Sequence, residues 1–179
     1  GFEHLPVIAT PTNPAWLPPM VEACGYTPYE DMLSYRMDIP AQLPQSYHAV
    51  ADRCLRNLGL HRVHLRSKGE LKPWGIPVLR LVNATYGDLL GFAPMTASEM
   101  KALAAKYMFI LDPELVHLIA AVNNDPVAFV IASPDMSEGL QRANGKLFPF
   151  GFLHILRAMK RSKQLDLLLG AVRPDLQGK

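Results

Sequence analysis

The sequence predicts a mixed α+β fold, and three observations carry that prediction. "ELVHLIAAV" and "PVAFVIASP" are two runs rich in β-formers joined by "NND", a short turn typical of a hairpin. Residues 95–111 contain Thr96 followed three positions later by Glu99, a capping box that begins a helix. With 179 residues, 49% of them hydrophobic, the chain is long enough to bury a core.

The first third of the chain is rich in proline and predicts short elements. Pro18 and Pro19 suit the first turn of a short helix that Gly25 ends. "MLSYRMDI", residues 32–39, alternates in the manner of a half-buried strand, which Pro40 stops.

Two further elements precede a predicted boundary. Residues 43–58 carry apolar side chains at helical spacing, and Gly59 stands at the expected helix end. "HRVHLR", residues 61–66, indicates a strand. The polar "SKGE" at residues 67–70 is typical of a linker, so we place a lobe boundary there.

Beyond the boundary the predicted order is α-α-β-β-α-α-β. A helix over residues 77–90 and the capping-box helix come before the hairpin. A short helix begins at Asp135, an amphipathic basic helix spans residues 151–161, and residues 164–172 form the last strand.

Composition excludes several function classes. The net charge is only +2, and the basic residues form no stripe suited to a phosphate backbone, so we expect no nucleic-acid partner. Cys24 and Cys54 lack the number and spacing of a disulfide framework or zinc site, which favours a cytoplasmic protein. His61 and His64 point to opposite faces of a strand, so no metal is predicted. No apolar run approaches about 20 residues, so we expect no membrane partner.

Residues 67–179 resemble the Gcn5-related (GNAT) N-acetyltransferase superfamily. "DPVAFVIASPD" is similar to the second strand of that family's hairpin, and "LLLGAVRPDLQGK" is similar to its acyl-CoA strand and pyrophosphate loop. The family's loop reads Gln/Arg-x-x-Gly-x-Gly/Ala, and Gln177, Gly178 and Lys179 fill its first three places. The glycines that follow in the family are not in this sequence.

The resemblance implies acetyl-CoA as co-substrate. It places the pantetheine amides against the backbone of Ala171 and Val172, and the pyrophosphate at Gln177, Gly178 and Lys179. A strand that ends in a glycine-bearing turn before a helix offers several N–H groups to one anion, which is the physical reason for such a loop.

The resemblance also implies a division into two lobes. Asn13, Gly25 and Tyr26 are similar to the tail of such a lobe, where an Asn-led helix ends in Gly-Tyr and a closing strand follows. Residues 1–66 are therefore expected to be the C-terminal part of a first lobe, and residues 67–179 the start of a second. The chain then resembles an interior slice of a protein with tandem lobes.

The function implied is acetyl transfer to a small-molecule amine or to a protein N-terminus or lysine, with a homodimer as a possible state. Asp166 and Glu138 are the nearest carboxylates to the expected site, but structural roles suit them as well, and no catalytic residue is assigned. The alternative is a catalytically silent scaffold that binds a ligand or partner.

Two further segments leave alternatives open. The basic helix 151–161 suits either a solvated face or the guidance of anionic CoA or a membrane surface. The aromatic "NGKLFPFGFL" suits either a pocket or packing between lobes.

Overall fold

The fold is mixed α+β, as predicted, with a four-stranded antiparallel sheet in the order β1-β2-β3-β4. The computed structural model describes residues 5–8, 10, 12–108 and 110–178. Its strands are β1 (Leu60–Val63), β2 (Val116–Ala121), β3 (Pro126–Pro134) and β4 (Leu165–Val172). Its α-helices are α1 (Leu17–Ala23), α2 (Gln45–Asn57), α3 (Lys68–Leu71), α4 (Gly75–Thr85), α5 (Ala97–Tyr107), α6 (Ser137–Ala143) and α7 (Gly151–Arg161).

The contacts divide the chain into two compact units, each built from two stretches of sequence. Unit 1 comprises Gly1–Pro44 and Asp135–Gln164, and unit 2 comprises Gln45–Pro134 and Leu165–Lys179. The lobe division at residues 66 and 67 stays a prediction.

Unit 1 contains α1, α6, α7 and a long irregular stretch. α1 begins at prolines and ends before Gly25, whose φ of +91° needs a residue without a side chain, as the sequence predicts. The predicted strand over residues 32–39 is wrong, because these residues adopt no regular structure and are exposed. A strand needs a hydrogen-bonded neighbour, and no described strand pairs with this stretch.

Unit 2 contains the sheet, which is built around the β2–β3 hairpin. The predicted hairpin is confirmed: β2 and β3 pair antiparallel, with Leu118 opposite Phe129. Asn124 in the connecting turn has φ of +60°, a conformation that asparagine tolerates better than most residues. β3 also pairs with β4, so it is flanked on both sides and its side chains reach the core.

The core of unit 2 forms between α4 and the sheet. Leu118 and Phe129 are each 2% exposed and pack with residues of α4, because the apolar side chains of that helix recur at helical spacing. The buried cluster consists of Leu71, Val78, Leu81, Val82, Val116, Leu118 and Phe129. α4 therefore packs its apolar face against one face of the sheet.

The start of α5 agrees with the sequence prediction, whereas α3 lies where the sequence predicts a linker. The Thr96 side chain accepts from the Glu99 N–H while the Glu99 carboxylate accepts from the Thr96 N–H, which confirms the capping box. These hydrogen bonds lower the pKa of Glu99. The predicted linker at residues 67–70 is wrong, because Ser67 caps the short helix α3 and Glu70 belongs to its first turn.

Across the part of the chain that the structure describes, no helix combines the length and the apolar character that a membrane span requires.

The packing of β2 against α4 predicts a large effect of truncation at Leu118. We expect Leu118→Ala to lower the free energy of unfolding by about 2–5 kcal/mol, because it leaves a cavity in the core. Val122→Ala is the matched control, since Val122 is 83% exposed, and should change it by less than about 0.5 kcal/mol. Denaturant unfolding measures both, and equal effects of the two substitutions would contradict the described core.

Candidate functional site

In unit 1, α6 and α7 approach each other closely at Gly139. A Cβ at this position would lie 2.6 Å from the Ile155 Cα, 2.7 Å from the His154 carbonyl oxygen and 2.9 Å from the Ala158 Cβ. Since only glycine fits, α6 lies directly on the backbone of α7. This contact decides which side of α7 is covered.

A second glycine fixes the start of α7. A Cβ at Gly151 would overlap the Lys146 carbonyl group, so the chain between the two helices folds back tightly. The Phe152 N–H donates to the Leu147 carbonyl oxygen, and the Leu153 N–H donates to that of Phe150. The connecting segment therefore has a defined path that carries its aromatic side chains outward.

The beginning of α6 differs slightly from the prediction. Asp135 is not the N-cap residue itself, which is Met136. The Asp135 carboxylate accepts from the Ser137 N–H at 2.9 Å, so it still satisfies one N–H group at the helix start. Ser137 is buried, and its hydroxyl donates to the Pro6 carbonyl oxygen at 2.9 Å.

A groove of about 350 Å³ lies in unit 1 beside α6 and α7, and we call it the basic groove. Two acidic side chains, Asp135 and Glu138, also line it, and Glu138 pairs with Arg142 at 3.6 Å on the exposed surface. Its basic lining residues are Arg36, Arg142, His154, Arg157, Arg161 and Lys163. Cations outnumber anions, so the groove attracts an anionic group.

The other exposed side of α7 is apolar. Together with the segment before the helix it forms what we call the apolar surface, which the described residues of the chain leave uncovered. Its members are Leu147, Phe148, Phe150, Phe152, Leu153 and Leu156, each more than a third exposed. An apolar patch beside a basic groove suits a ligand with both an apolar and an anionic part.

In unit 2, the structure places the predicted ligand-binding residues at and after the end of β4. Ala171 lies opposite Phe129, and Val172 lies opposite Ala128. The Arg173 N–H donates to the Val127 carbonyl oxygen, so by the alternation of an antiparallel ladder the Ala171 backbone groups face β3. The backbone groups of Val172 point to the outer edge.

The outer edge of β4 is capped by two side chains of unit 2. The Tyr86 hydroxyl donates to the Gly170 carbonyl oxygen at 2.8 Å and lies 3.4 Å from the Gly170 nitrogen. The Gln177 Nε2 donates to the Val172 carbonyl oxygen at 2.9 Å. These contacts occupy edge groups that an added strand would need.

The turn after β4 is held by an ion pair. Arg173 donates from Nε to Asp175 Oδ1 at 2.6 Å and from Nη2 to Oδ2 at 3.0 Å. This pairing raises the pKa of Arg173. Gly178 has φ of +74°, a backbone conformation suited to glycine, and Lys179 lies outside the described residues.

The two carboxylates considered from the sequence have different surroundings. Asp166 is 5% exposed and lies in β4 opposite Ser133 in unit 2. Glu138 is exposed on α6 in unit 1. Within the described ranges, no group of three or more histidine, cysteine, aspartate or glutamate residues is arranged to hold a metal ion.

Two features of these sites were missed by sequence reasoning. Tyr86 is separated from Gly170 by 84 positions, so no local pattern indicates their contact. The sequence predicts Arg36 in a strand, but the structure places it in the basic groove, because that position depends on helices more than 100 residues later.

Comparison with known proteins finds similarity to curated bacterial proteins. No protein-family model matches the chain. It is 25% identical over 166 residues to the bacterial ceramide synthase of Caulobacter vibrioides, covering 89% of this chain and 41% of that protein. It is 23% identical over 164 residues to protein YghO of Escherichia coli, covering 90% of this chain and 41% of that protein. The chain thus spans about two fifths of the length of these curated relatives.

These comparisons correct the family and the function expected from the sequence. The resemblance to GNAT acetyltransferases is wrong, since the relatives carry other names and no family model supports it. Acetyl transfer to an amine is wrong for the same reason, and the silent scaffold gains no support. The motif in "LLLGAVRPDLQGK" misled because a strand followed by a glycine-bearing turn is common to many folds. Ligand contacts at Ala171, Val172, Gln177, Gly178 and Lys179 stay a prediction.

The close approach of α6 to α7 predicts that Gly139→Ala destabilises the protein. We expect a loss of about 1–3 kcal/mol in the free energy of unfolding, because the new methyl group must push the helix backbones apart. Gly87→Ala is the matched control, since a Cβ there meets nothing within 4 Å. Thermal and denaturant unfolding compare the two, and a Gly139→Ala protein as stable as the control would contradict the described packing.

The cap on β4 predicts an effect of removing one oxygen atom. Tyr86→Phe should cost about 0.5–1.5 kcal/mol in the free energy of unfolding and speed amide exchange at Gly170, because the edge loses its partner. Tyr107→Phe serves as the control, as the Tyr107 ring is 43% exposed and lies beside the Lys106 Nζ. Unchanged exchange at Gly170 would show that the hydroxyl does not protect the edge.

Proposed function

We propose that the chain is part of a ceramide-synthase-like protein that acts on long-chain lipids. The observation that carries the proposal is the similarity to the bacterial ceramide synthase over 89% of this chain. The similarity to YghO extends over 90% of the chain and so involves nearly the same region.

The chemistry of unit 1 supports this proposal. A ceramide is a lipid with two long hydrocarbon chains and a small polar headgroup, so a protein that makes one must handle amphiphilic molecules. The basic groove and the apolar surface both involve α7, which presents cations on one side and Phe152, Leu153 and Leu156 on another. In the proposal, the groove receives an anionic group of a substrate.

Several narrower expectations stay predictions beside this proposal. Acetyl-CoA as co-substrate, a cytoplasmic location, a homodimer and the lack of a nucleic-acid partner belong to them. Calorimetry of the full-length protein with acetyl-CoA checks the first of these. If no heat of binding is detected at millimolar acetyl-CoA, the co-substrate prediction is excluded.

The proposed function predicts ceramide formation by the full-length protein in a bacterial host that makes none. The host would carry the gene and be fed a long-chain amino alcohol, and mass spectrometry of the lipid extract would measure ceramide. Arg36→Gln with Arg142→Gln should lower the product at least tenfold, because both cations line the basic groove. Lys101→Gln on the exposed side of α5 is the matched control and should retain the product.

Two outcomes would count against this function. Absence of ceramide in a host that accumulates the folded, unaltered protein would overturn the proposal as a whole. Full product from the double groove variant would remove the basic groove from it.

A further inference from the structure

α7 has three distinct sides, and the structure shows what covers one of them. Successive residues of a helix are rotated by about 100°, which puts Ile155, Ala158 and Met159 on one side. These three are partly buried, and Ala158 approaches Gly139 of α6. Phe152, Leu153 and Leu156 lie on the next side and are exposed, and Arg157 and Arg161 lie on the third.

The exposed apolar side of α7 continues into the segment before the helix. Phe148 is 80% exposed and Phe150 is 67% exposed, although burial of an aromatic ring is ordinarily favourable. The rings of Phe148 and Phe152 lie 6.1 Å apart, so the segment and the helix share one apolar surface. An uncovered surface of this kind marks a site that contacts a protein, a ligand or a membrane.

The charge around this surface is of one sign. The 27 residues from Gly139 to Leu165 contain six lysines and arginines and no aspartate or glutamate. The whole chain has a net charge of only +2, so positive charge is concentrated in this part of it. Lys160 belongs to the same exposed face as Leu153 and Leu156, where it stands at the border of the apolar surface.

We propose that the apolar surface and its surrounding cations dock on an anionic lipid bilayer. Aromatic and aliphatic side chains enter the headgroup boundary, while Lys146, Arg157, Lys160 and Arg161 face lipid phosphates. α7 has 11 residues, a length of about 16 Å at the usual rise, against the ~30 Å of a bilayer core. The helix therefore lies along the surface and does not cross it.

The combination of features selects a bilayer over other anionic surfaces. A nucleic acid would pair with the cations and stack its bases on single aromatic rings. It has no hydrocarbon region that could bury Leu147, Leu153 and Leu156. An acidic protein partner would meet the cations and leave the exposed phenylalanines in water unless it had a matching pocket. A bilayer supplies negative charge and hydrocarbon over one continuous surface.

The proposal replaces the expectation of no membrane partner, which rested on the lack of a spanning segment. The bilayer proposal goes beyond the proposed function. Its test substitutes Phe148, Phe150 and Lys160, whereas the test of the proposed function substitutes Arg36 and Arg142. Vesicle binding can fail while ceramide is still made, and ceramide formation can fail while vesicles are still bound.

The test is co-sedimentation of the full-length protein with two kinds of vesicle. One kind contains phosphatidylcholine alone, and the other contains about one third phosphatidylglycerol. We expect binding to the anionic vesicles at least tenfold tighter than to the neutral ones, and weaker binding at high salt, because surface charges are screened.

Substitutions separate the apolar from the electrostatic contribution. Phe148→Ser with Phe150→Ser should weaken binding at least tenfold, and both rings are exposed, so the fold is retained. Lys160→Gln should weaken binding about fivefold, the change that corresponds to about 1 kcal/mol for one surface cation. Val122→Ser and Lys101→Gln are the matched controls in unit 2 and should bind as the unaltered protein does.

Three results would overturn the proposal. They are absence of binding to the anionic vesicles, equal binding to both vesicle kinds, and unchanged binding of the double phenylalanine variant. The proposal would also be overturned if the protein bound a nucleic acid or an acidic protein and did not bind the vesicles.

Discussion

The contact of Gly139 with the backbone of α7 is the constraint on which the surfaces of unit 1 depend. A helix with apolar side chains on two of its three sides buries only one of them against a single neighbour. Because glycine lets α6 lie on the Ile155 side, the side with Phe152, Leu153 and Leu156 stays exposed. A larger residue at position 139 would separate the helices and alter both the basic groove and the apolar surface.

In unit 2 the corresponding constraint is the pairing of β3 with strands on both sides. Among the described strands, that pairing leaves one edge of β4 without a partner strand, and an open edge invites contact with another chain. Tyr86 and Gln177 hydrogen-bond to the outward backbone groups of Gly170 and Val172. The edge is therefore protected by side chains, and its last residues are available to a ligand only where those contacts are released.

The sequence predicted elements well where local patterns decide the outcome. The β2–β3 hairpin, the Thr96 capping box and the bounds of α7 are confirmed, because turn residues, caps and apolar periodicity are local signals. The strand over residues 32–39 failed because alternation alone does not supply a partner strand. The linker at residues 67–70 failed because Ser67 acts as a helix cap.

The candidate sites were harder to predict than the fold. The basic character of α7 was visible in the sequence, but its exposed apolar side was not, because that depends on which side meets α6. The Tyr86 contact joins distant positions and leaves no local pattern. The family resemblance misled because it rested on a short motif, and this sequence does not contain the glycines that are diagnostic of the family.

The depth of residue 148 in a bilayer tests the central claim about α7 most directly. A spin label at Phe148→Cys, after Cys24 and Cys54 are replaced by serine, reports accessibility to oxygen and to a water-soluble relaxant. On vesicles with phosphatidylglycerol we predict that the label enters the apolar region, while one at Val122→Cys stays in water. A label at position 148 that stays as water-accessible as the one at position 122 would contradict the account.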